Sequence, residues 1–227
     1  MDKTAWPPLI WLASRSPRRR QFLTEAGWSH VAEHPGFEDS DLGSGHGPAS
    51  EWVASLAYLK AAAGAAMASK CRADTVLALG ADTTCVHEGK MLGTPRSGDE
   101  AREMLKGFRD GWHEVQTGVA LLLVQPGFWT LRPERSIFVS GARVEWGSVS
   151  DEQIEQYVQS RGWEGKAGGY NLRERVEAGW PIRCQGDPTC VMGLPMGALR
   201  AKIRMLESAW SAPESRHPVA RANGGGA

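Results

Sequence analysis

Residues 9–20 read Leu-Ile-Trp-Leu-Ala-Ser-Arg-Ser-Pro-Arg-Arg-Arg, an apolar run followed by polar residues and then by three consecutive cations. The large apolar side chains within residues 8–13 predict a short buried strand. Ser16 is a favourable N-cap, and Pro17 suits the first helical position because the N–H that proline lacks is not needed there. A helix is therefore predicted to begin directly after the strand and to end near Gly27.

The turn between this strand and this helix has the properties of an anion site. Free backbone N–H groups and the positive end of the helix dipole point in the same direction. Arg18, Arg19 and Arg20 oppose the dipole in the first turn, so their placement favours a phosphate or carboxylate bound beside the helix. A merely solvated basic face is the open alternative. The stretch is not a Walker loop, because the chain contains no Gly-x4-Gly-Lys.

The composition of the chain argues against several classes of protein. The 227 residues include 26 basic and 26 acidic side chains, so a general attraction to nucleic acid or membrane is not indicated. No apolar run approaches the roughly 20 residues of a membrane span, and the N-terminus lacks the core of a signal peptide. Four cysteines predict reduced thiols in a cytoplasmic protein rather than a disulfide framework. We predict one domain over residues 1–208 and a disordered tail over residues 209–227.

Two predicted elements each carry a candidate site residue. An Ala-rich helix is predicted over residues 50–71, with Lys60 beside its apolar stripe, where it either reaches out to water or points into a site. A buried strand over residues 75–81 runs into Asp82. A carboxylate at the carboxyl end of such a strand is where open α/β sheets place ligand chemistry, although Asp is also a common turn residue.

Two loops complete the set of candidate segments. Residues 29–48 are polar and Gly-rich and contain Glu38 and Asp39, and they are either a functional loop or a solvated surface turn. Residues 162–170 form a second Gly-rich loop, which carries Lys166. The other predicted elements are a hairpin turn at 88–90, helices at 97–107, 150–160 and 195–208, and strands at 85–88, 112–124, 128–144, 181–184 and 189–192.

Several short stretches, in order and at matching spacing, resemble signatures of the Maf family of nucleotide pyrophosphatases. The resemblance covers about residues 8–207, and the agreement of all the stretches in order makes it specific. They are Ser-Arg-Ser-Pro-Arg-Arg at 14–19, Gly-Ala-Asp-Thr at 80–83, His-Glu-Val-Gln-Thr-Gly-Val at 113–119, Lys-Ala-Gly-Gly-Tyr at 166–170 and Val-Met-Gly-Leu-Pro at 191–195.

The resemblance implies a fold and a reaction. The fold is α/β, with a mixed, strongly bent sheet flanked by helices and two lobes around a central cleft, as in Maf and ITPase-like proteins. The reaction is hydrolysis of a nucleoside triphosphate to a monophosphate and pyrophosphate, with a divalent cation, Mg²⁺ or Mn²⁺, as cofactor. The implied partner is a small-molecule nucleotide, with no nucleic acid or membrane, and a homodimer is a possible assembly.

The resemblance also assigns roles by position. Asp82 and Lys60 are the catalytic candidates, and Asp82 is either the general base or, with Asp39, a metal ligand. The phosphate-binding candidates are Ser14, Ser16, Arg18 and Arg19, and further candidates are Glu38, Lys90 and Lys166.

The chain departs from the family pattern at three positions. Thr94 stands where the family has Lys, so one phosphate-facing ammonium is missing, and Lys90 either replaces it or faces solvent. Asp39 stands where the family has Glu, which shortens the side chain by one methylene. Because of the missing lysine, the alternative function is a catalytically impaired nucleotide-binding protein that acts in cell-division control.

The third departure concerns the base. The resemblance marks Arg18, Thr83 and Arg173 as base-selective, and Arg173 stands where the dTTP/UTP branch has Gln. Arginine offers donors only and suits carbonyl acceptors. We therefore predict dTTP or UTP as substrate in a house-cleaning role, with GTP-like or modified nucleotides as runner-up, unless Arg173 faces solvent and selects nothing.

Overall fold

A computed structural model describes residues 6–37, 47–71, 74–124 and 135–211. The predicted tail from residue 212 onward lies outside this range, while residues 209–211 continue the last helix. The strands are β1 (Leu9–Ala13), β2 (His30–Glu33), β3 (Val76–His87), β4 (Lys90–Leu92), β5 (Trp112–Val124), β6 (Arg135–Trp146) and β7 (Ile182–Gly186). The helices are α1 (Pro17–Glu25), α2 (Ala49–Cys71), α3 (Gly98–Phe108), α4 (Asp151–Gln159), α5 (Leu172–Glu177), α6 (Pro188–Val191) and α7 (Met196–Ser211).

The strands form one mixed sheet of seven, in the order β2-β1-β3-β5-β6-β7, with β4 paired to β3 beside this path. Strand β1 runs parallel to β2 and β3, and the other pairs are antiparallel. The α/β class and the flanking helices are thus as predicted. Strands β3 and β5 pair over eleven positions and form the long centre of the sheet.

Two separate hydrophobic clusters pack at the two ends of this long pair. One joins β1, α1 and α7 to the first half of β3, and includes Ile10, Leu23 and Leu199. The other joins α3, α4 and α5 to the second half of β3, and includes Phe108 and Trp146. Two clusters at opposite ends of one strand pair make two lobes, and the groove between them is the cleft described below.

Helix α2 packs on the middle of the sheet because two glycines allow close approach. A Cβ atom added at Gly80 would lie 2.1 Å from the carbonyl oxygen of Ala57, and one added at Gly118 would lie 2.3 Å from that of Val53. Real Cβ atoms do not approach an oxygen so closely, so only glycine fits under the helix. This packing holds Lys60, in the middle of α2, over the sheet.

Three sequence predictions are wrong in detail. The predicted strands 75–81 and 85–88 are one unbroken strand, β3, with Asp82 in its middle, and its parallel pairing with β1 stops at Leu79. Part of the predicted 29–48 loop is the strand β2. Residues 189–192 lie not in a strand but in and just after α6, because Asp187 caps this helix by accepting a hydrogen bond from the N–H of Thr189 at 2.8 Å.

The cysteines agree with a further expectation. All four cysteines are free thiols. Within the described ranges, no helix combines the length and the apolar character that crossing a membrane requires.

Candidate functional site

The cleft between the two lobes is lined from both sides. The first lobe contributes the start of α1, the middle of β3 and the segment after α6, and the second contributes the Gly-rich loop before α5. Its lining residues are Ser16, Arg18, Arg19, Lys60, Asp82, Thr83, Thr94, Gly165, Ala167, Tyr170, Val191, Met192 and Gly193. The structure therefore brings the predicted basic helix start, the helical lysine and the strand aspartate to one place.

Lys60 and Asp82 form a buried ion pair in the cleft wall. The Lys60 Nζ donates to Asp82 Oδ1 at 2.7 Å, and the two residues are only 8% and 7% exposed. Of the two interpretations of Lys60, extension to water is therefore wrong, and the side chain points into the site. A lysine and a carboxylate held at low solvent exposure interact strongly with any charged group that enters beside them.

Two serine hydroxyls, of Ser14 and Ser16, lie at the start of α1. Ser14 accepts hydrogen bonds from the Ser16 N–H and from Arg19 Nη1, both at 3.2 Å, so its two lone pairs are engaged. Ser16 is the N-cap of α1, and its Oγ faces the Arg19 N–H at 3.4 Å. A hydroxyl whose lone pairs are engaged still has its hydrogen to donate. Both serines are thus suited to donate to an anion at the helix N-terminus.

The two arginines of this helix start are not equivalent. The Arg19 guanidinium donates to the Gly193 carbonyl at 2.8 Å and to Thr83 Oγ1 at 3.3 Å, in addition to Ser14. Arg19 therefore ties α1, β3 and the segment after α6 together. Arg18 also lines the cleft, and its buried Nε has no hydrogen-bond partner among the described residues. Burial lowers the pKa of the Arg18 guanidinium, while the charge of Glu174 opposes this shift.

A second cavity adjoins the cleft on the other side of the helix start. It shares Ser16, Lys60 and Gly165 with the cleft. Its other lining residues are Ala13, Ser14, Arg15, Pro17, His34, Pro35 and Phe37. The predicted acidic positions Glu38 and Asp39 follow Phe37 directly in the chain but lie outside the described residues.

Four candidate residues in the described part of the chain do not line the cleft, and one of them, Ser14, lines only the adjoining cavity. Lys90 is exposed on β4, and Arg173 is exposed on α5. Lys166 lies in the Gly-rich loop, where its Nζ donates to Glu174 Oε2 at 2.6 Å. Roles for these side chains in the reaction stay predictions.

Tyr170, an aromatic residue of the second lobe, lines the cleft, and the sequence analysis assigned it no role. The Tyr170 hydroxyl lies 2.9 Å from His113 Nε2, and His113 is fully buried against the Phe108 ring, with the ring centroids 4.0 Å apart. Both residues lie in the motifs quoted above. The sequence could not show that their side chains are in contact, because 57 residues separate them in the chain.

Burial of His113 predicts a pH-dependent stability. Desolvation, aided by the charge of His87, lowers its pKa to about 3. His113 binds a proton near pH 6.5 in the unfolded chain but not in the folded chain. Its contribution to the free energy of unfolding is therefore fully present above pH 6.5 and is lost as the pH falls toward 3. Between pH 7.5 and 5 we expect the free energy of unfolding to fall by about 2 kcal/mol more in the native protein than in His113→Gln. Urea titrations at the two pH values measure this, and equal losses would contradict it.

Comparison with known proteins agrees with this geometry. The family model described as Maf-like protein matches residues 9–206. A dTTP/UTP pyrophosphatase of Rhodopirellula baltica is 33% identical over 88% of this chain and 83% of its own length. Those of Thermotoga maritima and Salinibacter ruber are 32% and 35% identical, over 83% and 87% of this chain and 84% and 90% of their own lengths. The chain belongs to the Maf-like protein family.

Proposed function

We propose that this protein hydrolyses a nucleoside triphosphate to a monophosphate and pyrophosphate. The observation that carries the proposal is the buried Lys60–Asp82 pair, which lies in one cleft with the hydrogen-bond donors of the α1 start. Hydrolysis of a phosphoric anhydride needs cationic and hydrogen-bonding groups around the phosphates and a carboxylate near the attacking water. The cleft brings these groups together, and the curated relatives named above are pyrophosphatases.

Each group has a definite task in this reaction. The hydroxyls of Ser14 and Ser16 and the N-terminus of α1 bind phosphate oxygens. Arg18 adds a charge-assisted hydrogen bond, since its Nε is not engaged by the described part of the chain. Lys60 stabilises the charge that builds on the leaving pyrophosphate. Asp82 either accepts the proton of the attacking water or binds the metal.

A divalent cation fits the chemistry of the cleft. Mg²⁺ is commonly held by one or two carboxylates together with substrate phosphates. Asp82 is a cleft carboxylate of this kind, although no group of three potential metal ligands occurs among the described residues. Asp39 is proposed as a second ligand from its position in the sequence alone. When bound, the cation neutralises charge on the phosphate oxygens.

The relatives favour dTTP and UTP as substrates, since each is named a dTTP/UTP pyrophosphatase. The direct experiment measures pyrophosphate release from dTTP, UTP, CTP, GTP and ATP with Mg²⁺ or Mn²⁺. We expect the highest kcat/KM with dTTP or UTP. Nucleotide binding without release from any of them would support the alternative of an impaired binding protein, which Thr94 in the cleft wall suggests.

Arg18→Ala is expected to raise KM for the nucleotide strongly and to lower the free energy of unfolding only slightly. A charge-assisted hydrogen bond to phosphate contributes about 1.5–3 kcal/mol, which corresponds to roughly a 10- to 150-fold loss in kcat/KM. Arg20→Ala is the matched control, because Arg20 is an exposed arginine of the same helical turn that does not line the cleft. Steady-state kinetics and thermal unfolding separate the two effects. Equal kcat/KM in both variants would place the phosphate site elsewhere.

A further inference from the structure

A chain of two hydroxyls connects the cleft wall to the backbone behind it. Thr83 and Thr117 face each other across β3 and β5, with their Oγ1 atoms 2.9 Å apart. Thr117 is fully buried, and its Oγ1 lies 2.9 Å from the carbonyl oxygen of Cys190. Thr83 lines the cleft and is partly exposed.

The directions of these hydrogen bonds follow from the chemistry of the groups. A carbonyl oxygen can only accept, so the Thr117 hydroxyl donates its single hydrogen to Cys190. Thr117 then has no hydrogen left for Thr83, and Thr83 must donate to Thr117. Arg19 Nη2 donates to Thr83 Oγ1 at 3.3 Å and occupies one of its two lone pairs. The Thr83 hydroxyl can therefore offer the cleft only one remaining lone pair.

An acceptor-only group selects which part of a nucleotide lies beside it. Ionised phosphate oxygens carry no hydrogen and are repelled by a lone pair, whereas the donors of Ser14 and Ser16 attract them. The Thr83 hydroxyl is therefore better suited to a nucleoside group than to a phosphate oxygen. A ribose hydroxyl can both donate and accept, so it can bind Thr83 whether Thr83 acts as donor or as acceptor. The polarity matters to a base edge, where N3 is a donor in uracil and thymine and an acceptor in cytosine.

We propose that Thr117 is a positioning residue for substrate choice, because it holds Thr83 as an acceptor for the N3–H of uracil or thymine. This inference rests on the proposed function, which supplies a nucleotide for the cleft. Arg18 lines the same cleft with a donor, so the two side chains together match an edge that presents an N–H and a carbonyl oxygen. Cytosine does not fit this pair, because its N3 is an acceptor and its lone pair would face the lone pair of the Thr83 hydroxyl.

Thr117→Val tests the inference. Valine keeps the shape of threonine but removes the oxygen that accepts the Thr83 hydrogen. The Thr83 hydroxyl can then rotate toward the cleft and donate to N3 of cytosine. We expect the ratio of kcat/KM for UTP to that for CTP to fall about tenfold, mainly through better use of CTP. Thr117→Ser keeps the hydroxyl and is expected to keep the ratio. An unchanged ratio in folded Thr117→Val overturns the proposal.

Thr84→Val is the matched control. Thr84 is the next residue on β3, is buried, and does not line the cleft, so the same chemical change there should affect stability without changing the ratio. A ratio that falls equally in Thr84→Val would show a general loosening of the sheet and would overturn the role of Thr117.

A modified substrate keeps the inference testable even if Thr117→Val does not fold. In the native protein, N3-methyl-UTP lacks the N3–H and is expected to have a kcat/KM at least about tenfold below that of UTP. Equal use of both overturns the Thr83 contact. If the native protein releases pyrophosphate from no nucleotide, the proposed function fails, and calorimetric Kd values for UTP, CTP and N3-methyl-UTP then decide the inference by the same ratios.

Discussion

Asp82→Asn is expected to lower kcat by at least about 10²-fold, whether Asp82 is the general base or a metal ligand. The amide has nearly the shape of the carboxylate but neither accepts a proton from water nor carries the charge that binds a cation. Pyrophosphate release at saturating UTP and Mg²⁺ measures the effect. Near-native kcat in the folded variant would remove Asp82 from the mechanism.

The buried pair adds an effect on stability to this prediction. Neutralising one partner of a buried ion pair costs about 3–5 kcal/mol, so we expect the free energy of unfolding to fall as well. Kinetics must therefore be recorded well below the unfolding temperature of the variant. Asp99→Asn is the matched control, since Asp99 is an exposed aspartate paired with Arg102 on α3, and both its activity and stability should stay near native.

Gly80→Ala is expected to cause a large loss of stability. The new Cβ would lie 2.1 Å from the Ala57 carbonyl oxygen and 2.4 Å from the Ala61 N, both backbone atoms of α2. Neither atom can turn aside as a side chain would, so the helix must move off the strand. We expect the free energy of unfolding to fall by about 3 kcal/mol or more, measured by urea titration.

The same substitution should also reduce activity, because α2 carries Lys60. When the helix moves away from β3, the Lys60–Asp82 distance of 2.7 Å cannot be kept. Gly141→Ala is the control: a Cβ there has its nearest contact at 4.0 Å, which is ordinary van der Waals separation. Comparable losses in the two variants would show that close packing of α2 is not the cause.

The elements that sequence reasoning predicted well are those specified by neighbouring residues. Ser16 and Pro17 define the start of α1, and the capping box of Ser150 and Gln153 defines that of α4. Strand β5, whose second half is the apolar run 119–124, has ends that match the predicted residues 112–124. In each case the signal and the structure lie within a few residues of each other, so no tertiary information was needed.

Two of the predictions that failed depended on distant partners. Strand β2 is only four residues long and only partly buried, and its pairing with β1 makes it a strand. The sequence of β3 did not show that Asp82 lies in mid-strand, because the parallel pairing ends at Leu79, where its partner β1 stops. Helix α6 did carry a local signal, the Asp187-Pro188 cap, and it was missed in favour of an apolar run too short to distinguish strand from helix.

The sequence by itself determined the family, the order of the main elements and the position of the strand–turn–helix that begins the site. These depend on side chains close together in the chain. Only the tertiary structure decided that Lys60 is buried against Asp82, that Arg19 donates to Ser14, Thr83 and Gly193, and that the Thr83 and Thr117 hydroxyls lie within hydrogen-bond distance. The physical reason is that burial, ion pairing and the direction of a hydrogen bond are properties of contacts between residues far apart in the chain.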